Sequence, residues 1–284
     1  RVPTSLATFP FMYFASGHTF FSQSLQPRLG FMPVAVHTTF QFGDTAEYAF
    51  GKRERLRERQ LWAVDDDDYF AMEGKYAAGK GAEEDGYRGF IQLVGQVDWT
   101  PEEFVRDEAS STIKLEGHRG YVDAVLARKS VDVHTMYKGN PNYHLLMDSF
   151  QRRLIHDGLA LARATRRKFI FPKLTCWVDR YWNNLEGGRF PGVSASQHPL
   201  PFHCPFDHLY DLDKWVHSKV PMRHYSFLES DRITDAQRND SVIIRTKGAM
   251  DSSAAVGSRE LLVAPGTSLA DVSRQLKLRS WSDA

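Results

Sequence analysis

The side chains best suited to chemistry lie between His37 and Arg53. His37 follows Pro33 and the short apolar run Val34, Ala35 and Val36, which suits a buried strand that delivers an imidazole at its end. A neutral imidazole in that position can ligate a divalent metal. Further on, Gly51 allows close backbone approach, and Lys52 and Arg53 are cations at the start of an expected helix. Free N–H groups at a helix start also favour anions, so Gly51, Lys52 and Arg53 together suit a diphosphate. The plainer reading is a core histidine beside a solvated, charged helix, and the residue types alone leave both open.

Other groups invite a chemical reading. His18, in Ser16-Gly17-His18, can approach the same site or simply bond nearby backbone. Asp179 and Arg180 stand among Trp177, Tyr181 and Trp182. That combination offers stacking faces with hydrogen-bonding groups between them, as a sugar or peptide surface needs, and suits an internal ion pair equally well. The run Asp65 to Asp68 has the look of a metal-binding Asp-x-Asp but reads better as a solvated acidic turn. Residues 74–81 nearly spell a phosphate-binding loop, yet Gly81 replaces the Ser or Thr that would hold magnesium, and acidic residues precede it where a buried strand should be. Residues 192–196 miss the serine-hydrolase elbow by its final glycine. His203, Asp207 and His208 would hold a metal only if folding supplied a further ligand, and a capped loop end is the better account.

The elements that must position these groups follow from periodicity. Residues 1–33 carry a dense aromatic run, Phe9 to Phe14, read as a buried strand feeding the loop with His18. Residues 52–62 suit a helix with a narrow apolar stripe at Leu56 and Leu61. Its Glu54–Arg57 and Arg55–Glu58 pairs contribute about 0.2–0.5 kcal/mol each, and most of its charge reads as solvated. Gly89 to Gly95 is expected to be the strand that closes a first domain over residues 1–95. Residues 96–140 read as a linker or insertion, and the part from 117 onward has no assigned role. Leu154, Ile155, Leu159, Leu161 and Ala162 then fall at helical spacing and lead into the strand Lys168 to Phe171, the repeat unit of an α/β sheet. Strands at Val242–Ile244 and Leu261–Ala264, and a helix from Leu269 to Leu276 capped by Ser268 with Asp271 in its first turn, complete a second α/β domain over 141–284.

Composition narrows the partners. With 36 basic and 35 acidic residues the formal charge is +1, so nothing draws the whole chain to nucleic acid or an anionic membrane, and any anion site must be local. A hydrophobic content of 42% supports a packed core rather than disorder. No apolar run is long enough to span a bilayer, and no signal-like segment opens the chain. Cys176 and Cys204 fit one disulfide in an oxidising lumen or two inert buried thiols, the disulfide being favoured, and they match no zinc pattern.

Several ordered stretches resemble one family. They are Ser16-Gly17-His18-Thr19-Phe20-Phe21, then His37-Thr38-Thr39-Phe40-Gln41-Phe42-Gly43, then Gly51-Lys52-Arg53 with Arg55, Arg57-Glu58 and Leu61-Trp62. Downstream come Ala160 to Ala164 leading to Phe169-Ile170-Phe171-Pro172, then Cys176, Asp179-Arg180 and Trp182, and finally Pro201 to His208. Together they resemble the extensin arabinosyltransferases of plants and green algae, nucleotide-diphospho-sugar transferases of glycosyltransferase family 77. The segment 160–172 is also similar, more weakly, to the first α/β unit of protein O-fucosyltransferases. The loop Asp44 to Phe50 is longer than its family counterpart.

The resemblance implies the end of a GT-A-like nucleotide-sugar transferase domain followed by a Rossmann-like α/β domain, itself cut short at its end. It implies transfer of L-arabinofuranose from a UDP-sugar donor to hydroxyproline-linked arabinosides of an extensin-like, hydroxyproline-rich glycoprotein, with Mn²⁺ as cofactor. His37 would be a metal ligand, and Lys52 with Gly51 and Arg53 would hold the donor diphosphate. His18, Asp179, Arg180 and Trp182 would belong to donor or acceptor loops. A metal-binding Asp-x-Asp half-domain and a type II membrane anchor are expected upstream of Arg1, the setting is the Golgi lumen, and this chain alone is expected to be inactive. The alternative is a non-catalytic glycan- or glycoprotein-binding component that keeps the transferase fold.

Overall fold

The computed structural model describes residues 7–39, 41, 49–72, 87, 89–94, 141–177, 201–218, 220–246, 259–263 and 268–278. The asparagine-rich and aromatic segment carrying Asp179, Arg180 and Trp182 lies outside them, as do the phosphate-loop-like stretch 74–81, the insertion 96–140 and residues 192–196.

Two short strands, β1 (Phe14–Ser16) and β2 (Ala35–His37), pair in parallel with Ser16 opposite His37. Between them lie a single π-helical turn, His18–Ser22, and α1 (Leu25–Arg28). Helix α2 (Phe50–Glu58) and α3 (Asp67–Phe70) follow. A five-stranded sheet is built from β3 (Phe90–Val94), β4 (Lys168–Ile170), then β7 (Met222–Arg223), β8 (Val242–Thr246) and β9 (Arg259–Val263). The long helix α4 (Pro141–Thr165) precedes β4. The antiparallel pair β5 (Thr175–Cys176) and β6 (Phe202–His203), then α5 (Leu212–His217), lie between β4 and β7. Helices α6 (Asp235–Asp240) and α7 (Leu269–Leu278) precede β8 and follow β9. Among the described residues no helix is long and apolar enough to cross a membrane.

The sheet is wholly parallel, in the order β7-β4-β3-β8-β9, so the protein is mixed α/β. The chain runs outward from β3 through β4 to β7, then crosses back to the other side of β3. The strand expected to close the first part of the chain is therefore the sheet's central strand, paired with β4 on one side and β8 on the other. Every residue of β3 is buried. Parallel sheets need cover on both faces, and the alternation of side chains supplies it. Ile91, Leu93, Phe169, Val242, Ile244, Leu261 and Val263 pack with Ile155, Leu161 and Ala162 of α4 and Val272 and Leu276 of α7. On the opposite face Phe90 and Ile170 pack with Phe70, Phe227, Leu228 and Ile233. Helix α4 comes close to the sheet because Gly158 faces the Phe169 ring, where a Cβ would lie 2.3 Å from a ring carbon.

Three expectations are corrected here. The aromatic run Phe9 to Phe14 is not a buried strand, since Phe9, Phe11, Tyr13 and Phe14 are exposed and only Phe14 enters β1. Val34 is 74% exposed and His37 is also exposed, so the run 34–36 is not a buried strand. With β1 as its partner, β2 has apolar cover among the described residues where Val36 meets Phe20, Phe21, Ala15 and Leu56. The charged helix is shorter than expected and much of its charge is not solvated, since Glu54, Arg55 and Glu58 are buried. It stops because Gln60 takes a positive φ of 57°, with its N–H on the Arg57 carbonyl and the Leu61 N–H on the Leu56 carbonyl. This is a Schellman closure without its usual glycine.

Candidate functional site

The loop after β1 and the loop after β2 rest on each other. Parallel pairing brings the carboxyl ends of both strands to one side, so Ser16-Gly17-His18 meets His37-Thr38-Thr39. The Gly17 N–H donates to Thr39 Oγ1 at 3.3 Å, and the Thr39 N–H donates to the His37 carbonyl at 2.7 Å. Gly17 is required by this approach, because a Cβ there would lie 2.1 Å from the Thr39 carbonyl oxygen. Ser16 Oγ lies 2.7 Å from Thr19 Oγ1 and accepts the Thr19 N–H at 3.2 Å, which pins the turn carrying His18. His18 is buried there, whereas His37 faces solvent.

Gly51, Lys52 and Arg53 fall in the first turn of α2, with Gly51 buried and both cations half-buried. The Arg53 guanidinium lies over the Trp62 ring at 5.4 Å. The other end of α2 reaches the histidine loops. Just past its last turn, Arg59 Nη2 donates to the Phe21 carbonyl at 3.2 Å and to Ser24 Oγ at 2.5 Å, and Leu56 packs on Phe20 and Phe21. One helix thus carries the expected phosphate-binding residues and also holds the turn that presents His18.

What orients α2 is a buried polar network that residue types did not reveal. Arg55 Nε donates to both oxygens of Asp207, at 2.8 and 3.0 Å, with neither side chain exposed, and Arg55 Nη2 lies 3.3 Å from His208 Nδ1. Glu58 Oε1 accepts the Phe206 N–H at 2.9 Å, and the Glu58 carbonyl accepts from Ser226 Oγ at 2.9 Å. Burial, then the neighbouring Glu54 charge, pushes the Glu58 carboxyl well above its ordinary range. Burial likewise raises Glu54, against the opposing pull of Arg57.

Arg57 donates through Nε to Asp65 Oδ2 at 2.7 Å and through Nη2 to Asp65 Oδ1, and Trp62 Nε1 donates to the same carboxylate at 3.2 Å. Asp65 is therefore an internal acceptor rather than part of a solvated turn, while Asp67 stays exposed and pairs with Arg232 at 2.7 Å. The Tyr69 ring lies 4.5 Å from the Arg57 guanidinium and 4.3 Å from that of Arg223, and its hydroxyl is 3.0 Å from His224 Nδ1. Burial lowers the His224 imidazole to about 3, helped by the charges of Arg57 and Arg223.

This arrangement also accounts for the downstream histidine group. Asp207 is taken up by Arg55, and His203 Nδ1 donates to the Leu174 carbonyl at 2.8 Å. Cys176 and Cys204 form a disulfide, Cα–Cα 5.6 Å, that joins β5 to the segment after β6 and so fixes the approach of Phe206 and Asp207 to α2. Among the described residues no group of three or more His, Cys, Asp or Glu is arranged to hold a metal ion. A cleft of about 270 Å³ lies at the amino end of the sheet, where Leu159 and Arg163 of α4 face Arg167, Phe169 and Pro221. None of the expected donor residues lines it.

No family model matches the chain, and no solved structure matches it. The chain is 26% identical over 229 residues to the protein named Arabinosyltransferase XEG113 of Arabidopsis thaliana. The match takes in 78% of this chain and 27% of that protein, so the chain spans about a quarter of the relative's length. Its sequence is arabinosyltransferase-like.

Proposed function

We propose that this chain is part of a glycosyltransferase that moves L-arabinofuranose from a UDP-sugar to hydroxyproline-linked arabinosides of an extensin-like wall glycoprotein, in the Golgi lumen of a plant or green alga. The observation that carries this reading is the similarity to an arabinosyltransferase over most of the chain. In this reading Gly51, Lys52 and Arg53 hold the donor diphosphate. Two cations in the first turn of α2 oppose its negative charge, and the buried Arg55–Asp207 pair keeps that turn in place.

Mn²⁺, when bound, would act as a Lewis acid on the departing diphosphate. At the two histidine loops the described residues offer it the exposed imidazole of His37, which fits as a single ligand of a site completed from elsewhere. His18, buried in the turn that follows Gly17, positions its loop. Asp179, Arg180 and Trp182 belong in this reading to a donor or acceptor loop. We expect the isolated chain to have negligible transfer activity, because the Asp-x-Asp of the family pattern is not among its matched motifs.

Calorimetric titration of UDP into the chain, with and without Mn²⁺, tests the donor site. Metal-dependent binding that is lost in His37→Ala and weakened in Lys52→Ala is the expected result. Binding of arabinosylated peptide with no UDP binding in any condition, including in the longer protein, would instead favour a glycan-binding component.

A further inference from the structure

No Lys, Arg, Asp or Glu occurs between Val2 and Pro27. Within that uncharged stretch Phe9 is 75%, Phe11 50% and Tyr13 49% exposed, and Phe14, Met32 and Val34 are exposed beside them. They come from two segments, 9–14 and 31–34, that touch each other. The Phe9 and Phe14 ring centroids are 4.3 Å apart, Tyr13 meets Phe31 edge-on at 5.2 Å, and the Val34 N–H donates to the Tyr13 carbonyl at 2.8 Å. The backbone beneath is held from within, since the buried Gln26 donates through Nε2 to the Phe11 carbonyl at 3.0 Å. Soluble domains seldom leave a contiguous apolar surface of this kind uncovered unless something binds it.

We propose that this aromatic surface binds the acceptor as an extended proline-rich peptide in the polyproline II conformation. The identity of the peptide rests on the transferase reading given above, and its placement rests on the surface itself. Proline rings stack on exposed aromatic faces, and a polyproline II segment is already ordered, so it loses little entropy on docking. Its carbonyls have no internal partners. The Tyr13 hydroxyl makes no hydrogen bond among the described residues and can donate to one of them. The stretch carries no charge as far as the exposed Arg28, which suits an uncharged peptide, whereas a membrane surface would call for several cations around the rings. The strand beneath the rings, β1, runs straight into Gly17 and His18, so a peptide lying on it leads to the loops packed beside His37.

Fluorescence anisotropy of a labelled hydroxyproline decamer, titrated with the full chain, tests the proposal. A Gly/Ser decamer of equal length is the control. Phe9→Ser and Phe11→Ser should each weaken decamer binding about tenfold, and Tyr13→Phe should weaken it less while keeping the ring. Circular dichroism should be unchanged in all three, because the altered groups are at the surface. Equal binding of both decamers, binding that ignores the variants, or a change of oligomeric state in place of a change in peptide binding would overturn the proposal. UDP titration of the same samples separates the two readings. A chain that binds UDP but whose decamer binding ignores the variants refutes the surface alone, whereas variant-sensitive decamer binding without UDP binding refutes the donor site alone.

Discussion

The Arg55 guanidinium and the Asp207 carboxylate meet where solvent reaches neither, with Nε at 2.8 and 3.0 Å from the two carboxylate oxygens. This pair joins the helix with the expected diphosphate-binding turn to the segment behind the disulfide. A buried pair contributes less than its Coulomb attraction suggests, because both partners have lost their hydration. Removing one partner is a different matter, since it strands the other charge.

Arg55→Met should therefore destabilise the protein by about 3–5 kcal/mol, and Asp207→Leu by a comparable amount. The double variant should recover much of the loss. Urea unfolding of the four proteins, treated as a double-mutant cycle, measures the coupling.

The His224 and His203 imidazoles, both lowered to about 3 by burial, stay neutral in the folded protein while the unfolded chain takes up a proton near the ordinary value of 6.5. The unfolded state then binds more protons, so stability is full above about pH 6.5 and falls as pH drops toward 3. His224→Gln should flatten part of this decline, as read from melting temperatures between pH 7 and 5.

Glu58 has the opposite sign. Its folded value lies well above the ordinary 4.5, so the folded state holds the proton longer and this carboxyl lowers stability as pH rises through that window. Glu58→Gln keeps an acceptor for the Phe206 N–H and removes the cost. It should raise the melting temperature at pH 7–8 and have little effect near pH 4.

Gly17→Ala should disturb both histidine loops, since the added Cβ would meet the Thr39 carbonyl oxygen at 2.1 Å. Overpacking of this kind costs about 1–3 kcal/mol. Thermal unfolding checks the stability, and UDP titration should show weaker binding than the parent chain.

Replacing Cys176 and Cys204 together by Ala removes a cross-link between residues 28 positions apart. A loss of about 2–4 kcal/mol is expected from the freed unfolded chain. Reduction of the parent protein by dithiothreitol should lower its melting temperature to that of the double variant.

Much of the α/β part was legible in the residues themselves. The spacing of Leu154, Ile155, Leu159, Leu161 and Ala162 marks the helix that packs on the sheet, and Lys168 to Ile170 forms the strand after it. Ser268 caps the last helix through Oγ, which accepts the Asp271 N–H at 3.1 Å. The two histidine loops were quotable as separate stretches, but their mutual packing depends on the parallel register of β1 and β2. The helix stops at Gln60 and Arg166, which take positive φ without being glycine, and so carried no punctuation to read.

The sequence by itself determined what is set within a few residues: the helical period of the long helix, a cap, and the residues resembling an arabinosyltransferase. Tertiary structure alone decided which charges are internal. Nothing local separates Arg55, wholly buried on an acidic partner 152 positions away, from Lys52 three residues earlier, which is half-buried on the same helix. It also decided that Val34 is exposed and that β3 sits at the centre of its sheet. The physical reason is the same in each case. The free energy of a buried charge or an apolar strand depends on what covers it, and the covering groups come from distant parts of the chain.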